Sequence, residues 1–123
     1  MKIFRFDPDV GKEIEQFGSV KATISKIVHL KADAEINCVC IRPNGKIGYH
    51  QAVAQQLFLL VGGRGWVRSG SAEKYTVREG QAIFWEKDEW HESGTETGMT
   101  AVIIEGVNID PTEFMSALQE SEP

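Results

Sequence analysis

Short runs of alternating apolar and polar residues, closed by turns bearing glycine, proline or acidic residues, recur along the chain. A period of two buries one face of a strand, so residues 35–42, 46–52, 56–61, 66–68, 75–77, 81–85, 89–93 and 99–106 are expected to be extended. Residues 20–30 (Val20, Ala22, Ile24, Ile27, Val28, Leu30) form a further extended stretch whose alternation breaks near Ser25-Lys26. Pro43-Asn44-Gly45 is a turn, because proline fixes φ and Asn-Gly tolerates positive φ. Gly62-Gly63-Arg64-Gly65 is expected to reverse the chain into Trp66-Val67-Arg68, and Ser69-Gly70-Ser71 reverses it again.

This rhythm predicts an all-β sandwich or barrel rather than a βαβ fold, and closure removes the exposed edges of so many short strands. One helix is expected, at the C-terminal end. Asp110 suits its N-cap, Pro111 its first position and Glu113 the N3 position, while Phe114, Met115 and Leu118 give an apolar stripe. Residues 2–6 are strand-like with no nearby turn to fold them back. Such a strand needs a partner edge, which points to a homodimer.

The 123 residues fit one domain, residues 1–123, and a chain of this size buries roughly two-thirds of its unfolded surface. Hydrophobic residues at 41% and charged residues at 25% are ordinary globular values, which exclude disorder. The formal charge of −5 is spread along the chain without a basic cluster, so nucleic acid is not an expected partner. The apolar run Leu57 to Val61 is too short to cross a bilayer, and Met1 to Pro8 lacks the apolar core of a secretory signal. Cys38 and Cys40 share one strand face and are at best half a zinc site. Packed as small hydrophobes in a reducing compartment, they fit a cytoplasmic protein.

Two stretches carry the candidate chemistry. The first runs from Gly45 through His50, Ala52 and Gln56 to Gly63, and the second from Gly80 through Glu86, Asp88 and His91 to Thr95. Together they resemble the two motifs of the cupin superfamily, over a motif-bearing core of about residues 40–106. The resemblance implies a double-stranded antiparallel β-barrel of jelly-roll type. In the family pattern the first motif holds a His-x-His pair, a glutamate and a glycine, and the second a glycine, a Pro-x-Gly turn, a histidine and an asparagine. Here His50, Gly63, Gly80 and His91 match. Ala52 replaces the second histidine, Gln56 the glutamate, Glu86 and Asp88 the Pro and Gly of the turn, and Thr95 the asparagine.

These departures remove one imidazole and the only carboxylate from a donor set that holds a divalent transition metal. His50, Gln56 and His91 alone would bind such an ion weakly, because a neutral amide brings no charge. Glu89, two residues before His91, or Glu105 on the last long strand could supply the missing carboxylate. The small neighbours Gly48 and Ala52 leave space beside His50, and Phe58, Leu60 and Trp66 are expected to line the same cavity. Alternation turns Trp90 and Glu92 away from it, and His29 has no motif support.

The leading expectation is a small-molecule-binding protein using His50, Gln56 and His91 for polar recognition, with a metal optional. The alternative is a metal-dependent oxygenase or isomerase acting on a small polar acid or sugar. A third course is metal-free acid/base catalysis by a histidine that a glutamate orients.

Overall fold

The computed structural model describes residues 1–118. In chain order the strands are β1 (Lys2–Arg5), β2 (Lys12–Glu13), β3 (Thr23–Ile24), β4 (Ala34–Ile41), β5 (Lys46–Gln51) and β6 (Gln55–Ser69), followed by β7 (Tyr75–Arg78), β8 (Gln81–Trp85), β9 (Trp90–Gly94), β10 (Met99–Gly106) and β11 (Ser116–Ala117). All pairings are antiparallel. One layer has the order β11-β1-β8-β6-β10-β4. The other is β7-β6-β9-β5, so β6 belongs to both. No helix among the described residues is long and apolar enough to cross a membrane.

The expected reversal at Gly62–Gly65 is instead a bend within β6. Ala101 pairs with Leu60 but Thr100 pairs with Gly62, so Val61 is an extra residue, a β-bulge. Gly63 sits at φ 79°, where a side chain is strained, and a Cβ there would collide with the Gly98 carbonyl oxygen. The bulge inverts the alternation. Before it, Phe58 and Leu60 face inward; after it, Val67 does, and all three are buried in one core with Ile3, Ile41, Val77, Ile83, Trp85, Met99 and Ala101.

The outer face of the first layer carries a second core of Phe4, Leu57, Leu59, Ala82, Phe84 and Ile104. Ile27, Val28 and Leu30 pack on it from an irregular segment, so residues 20–30 are not the expected strand apart from β3. Their apolar residues cover a sheet instead of extending one. The C-terminal helix is likewise absent: residues 111–114 form turns, and Met115 is buried in the outer core. Asp110 does accept a hydrogen bond from the Thr112 N–H at 2.9 Å, but β11 then pairs with β1. An extended chain satisfies the β1 edge, which a helix would leave open.

With β8 on its other side, β1 is paired within the chain. The reason for expecting a dimer through residues 2–6 is therefore removed. Cys38 and Cys40 do share a face of β4, but both are exposed rather than packed.

The bend yields a direct test. Gly63→Ala is expected to cost about 2 kcal/mol or more, because it combines positive φ with a backbone collision. A Cβ at Gly62 meets only the Thr100 Cβ at 3.8 Å, so Gly62→Ala should stay within about 1 kcal/mol of wild type. Urea denaturation of both variants is the measurement, and equal losses would contradict the bulge geometry.

Candidate functional site

Register builds the candidate site from residues on six strands. His50 on β5 stands opposite His91 on β9, and His91 stands opposite Ser69 at the far end of β6. At the near end of β6, Gln56 is opposite Trp85 of β8 and opposite Glu105 of β10, and Glu105 is opposite Glu35 of β4. Paired residues share a face, so Trp85, Gln56, Glu105 and Glu35 form one interior row. The Trp85 indole stacks on the His91 ring at 4.1 Å between centroids. That contact closes the circuit. Both ends of β6 reach the same end of the barrel, and the bulge lies at the other.

The two imidazoles are 4.4 Å apart between centroids, tilted by 57°. His50 Nδ1 lies 2.7 Å from the Gly48 carbonyl oxygen, and His91 Nδ1 lies 3.1 Å from that of Glu89. A carbonyl oxygen only accepts, so in both neutral rings Nδ1 carries the proton and Nε2 keeps its lone pair. Neither Nε2 has a partner among the described residues. His91 is 3% exposed. Its burial, with a smaller contribution from nearby His50, lowers its pKa below the usual imidazole value against the opposing pull of the Glu89 carbonyl.

Trp85 is 1% exposed and fixed by His91 on one side and by the edge of Phe58 at 5.7 Å. Its Nε1–H is buried without a hydrogen-bond partner among the described residues. Such a donor costs about 1–3 kcal/mol. Exposure then rises along the row, through half-buried Gln56 and Glu105 to exposed Glu35.

Other expected site residues lie elsewhere. Phe58 and Leu60 do face inward, but both are sealed in the core and form its filling rather than the wall of an open cavity. Trp66 is turned to the outside by the bulge, lying against Gly94 with the Lys74 ammonium 4.0 Å from its ring centroid. Trp90 and Glu92 are also outside. Trp90 stacks on Tyr49 at 5.3 Å, and Glu92 binds Arg68 at 2.8 Å and Lys46 at 3.4 Å. His29 is exposed. A cleft of about 960 Å³ lined by Arg5, Asp7, Arg64, Arg78 and Gln81 opens where β8 begins, the end of that strand away from Trp85.

Glu89 belongs to a turn before β9, so strand alternation does not govern it. Asp88 takes φ 73° there, at the position where the family motif has glycine. The Glu89 carboxylate binds the buried Met1 ammonium at 2.6 Å, the Ser69 hydroxyl, and the Glu86 N–H at 2.9 Å. Burial acts to raise its pKa, but these hydrogen bonds outweigh burial and hold it below the usual carboxylate value. Among the described residues no three His, Cys, Asp or Glu side chains come together to hold a metal ion. Two imidazole nitrogens and a neutral amide do not fit a divalent transition metal, which takes four to six donors with charge among them.

Comparison with known proteins agrees with this architecture. No protein-family model and no curated protein sequence matches the chain. Solved structures do. A cupin superfamily protein from Desulfitobacterium hafniense is similar with a TM-score of 0.57 at 9% identity, over 74% of this chain and 83% of that one. An RmlC-like cupin with a double-stranded β-helix fold from Methanocaldococcus jannaschii gives 0.57 at 9%, over 76% and 86%. A protein of Thermotoga maritima described as a predicted oxalate decarboxylase gives 0.51 at 14%, over 56% and 62%. The chain has the cupin fold.

The lowered His91 pKa sets a pH dependence. Below the usual imidazole pKa of about 6.5 the unfolded chain binds a proton that folded His91 resists, so this contribution to stability is full above that pH and is lost as pH falls. Urea denaturation of wild type and His91→Gln between about pH 8 and pH 5 should show wild type losing stability relative to the variant on acidification. A parallel pair of curves would refute the assignment.

Proposed function

We propose that this chain binds a small molecule at the His50–His91 end of the barrel, through polar recognition rather than through a metal centre. One observation carries the reading: two paired imidazoles present free Nε2 lone pairs, and the Trp85 ring stacked on His91 carries a buried N–H without a partner among the described residues. Gln56, also without a partner among the described residues, borders them on the interior row. Unsatisfied groups of complementary kind, one acceptor set and one donor, favour a ligand able to satisfy both. The neighbour described as an oxalate decarboxylase has a dianion in its name, whereas Glu105 and Glu35 stand here on the interior row. Acid/base catalysis is less favoured, because backbone carbonyls, not a glutamate carboxylate, orient both imidazoles.

Protein purified without chelator is expected to carry no stoichiometric transition metal by elemental analysis. A stoichiometric metal that His50→Ala removes would overturn this reading in favour of a metal-dependent enzyme.

A cytoplasmic homodimer completes the proposal, with the interface moved to β4. Its outer edge pairs with no strand among the described residues, and Ile36 is 59% exposed on it. From Ile36 to Ile41 that edge lacks the charge, proline or bulge that usually blocks pairing. Light scattering should give a dimer that Ile36→Lys weakens; a wild-type monomer at high micromolar concentration would reject it.

A further inference from the structure

The hydrogen-bonding groups at the His50–His91 end are unbalanced toward acceptors. Both imidazoles offer Nε2, Glu105 offers a carboxylate, and Glu35 extends the same row toward solvent. Neither Glu105 nor Glu35 forms an ion pair among the described residues. No lysine or arginine stands on this row or on the His50–His91–Ser69 row. Nearby cations are committed elsewhere: Arg68 and Lys46 bind Glu92 on the outer face, and Glu89 holds the Met1 ammonium. The cation at this end, the Met1 ammonium beside Ser69, is already neutralised by Glu89. An incoming acid would therefore meet the unpaired Glu105 and Glu35 carboxylates and the imidazole lone pairs.

The deep end adds a second demand. Trp85 Nε1–H needs an acceptor, while Nε2 of His91, whose ring stacks on the indole, needs a donor. A hydroxyl group meets both, its oxygen accepting from the indole and its proton going to Nε2. Toward solvent the demand changes, because Glu105 is one strand beyond Gln56 and two beyond Trp85, roughly 10 Å between backbones at about 4.8 Å per strand. A protonated amine, a donor with positive charge, complements that carboxylate.

Resting on the small-molecule reading above, we propose that the ligand is an amino alcohol, its hydroxyl at Trp85 and His91 and its ammonium at Glu105. The two groups lie on one extended chain that follows the interior row past Gln56. The assignment predicts an order among ligands of one length that differ only at the outer end.

Aminopentanol, pentanediol and hydroxypentanoate are such a set. Isothermal titration calorimetry should rank them in that order, with aminopentanol tighter than the diol by about tenfold, as a hydrogen bond to a charged group implies. Glu105→Gln should abolish the preference for amine over diol, the amine losing more affinity than the diol. Long-range imidazole nitrogen spectra should show the His91 Nε2 signal moving with each bound alcohol. If the hydroxy acid binds as well as the amino alcohol, or the amine preference survives Glu105→Gln, the amine assignment falls while the pocket reading stands. If none of the three binds or moves that signal, both fall.

Discussion

The site depends on one constraint, the passage of β6 from one layer of the barrel to the other. A strand of fifteen residues cannot cross both layers straight, and the turn is made without leaving the hydrogen-bonded ladder. One extra residue, Val61, and a glycine at positive φ against the Gly98 carbonyl accomplish it. Gly65 continues the requirement, since a Cβ there would meet the Met99 Sδ at 2.7 Å. The bend returns Ser69 to the end of the barrel where Gln56 begins. His91 and Trp85, each opposite one of these residues, can then stack.

That bulge also marks where a reading of alternation stops. His50 and His91 were legible because each lies in a short regular strand next to a turn whose chemistry shows in Asn44-Gly45 or Asp88. The all-β, strand-and-turn character of the barrel was legible in the same way, from turn spacing. Trp66 was not, because the expected hairpin reversal at Gly62–Gly65 is a bulge within β6, and the extra residue turns Trp66 to the outer face. Residues 20–30 misled for a different reason. Their apolar residues cover the outer core, and an irregular segment can do that as well as a strand. At Asp110 the local helix signals were genuine, but they competed with an open edge on β1 that only tertiary structure reveals. Glu89 is the clearest case of non-local control: its carboxylate answers to Met1 and Ser69, which sequence spacing does not bring near it.

The barrel interior divides into a floor and a rim. The floor is apolar, and burying each of Phe58, Leu60 and Ile83 contributes about 1.5–3 kcal/mol. The rim begins one residue pair away, where Trp85, Gln56 and Glu105 replace Ile83, Phe58 and Ile103 on the neighbouring row. Trp85 belongs to both. Its ring joins the floor by its edge contact with Phe58, and its stack on His91 joins the rim. An indole at this boundary fixes the imidazole plane through contact area, leaving the nitrogens of that plane free for other bonds.

Electrostatics separates the two faces of the second layer as firmly as packing separates floor from rim. On the outside, Glu92 is buried between Arg68 and Lys46, and these hydrogen bonds hold its pKa below the usual carboxylate value. The Arg68 guanidinium also covers the Tyr49 ring at 5.3 Å, so this cation is doubly occupied on the side away from the histidines. Alternation puts His91 and Glu92, consecutive residues, on opposite sides of one strand. The strand thus directs its carboxylate to the surface cations and its imidazole to the interior. Had the register slipped by one residue, Glu92 would have entered the barrel and supplied the carboxylate that Gln56 does not. The pairing of His91 with His50 and Ser69 opposes that slip from both sides.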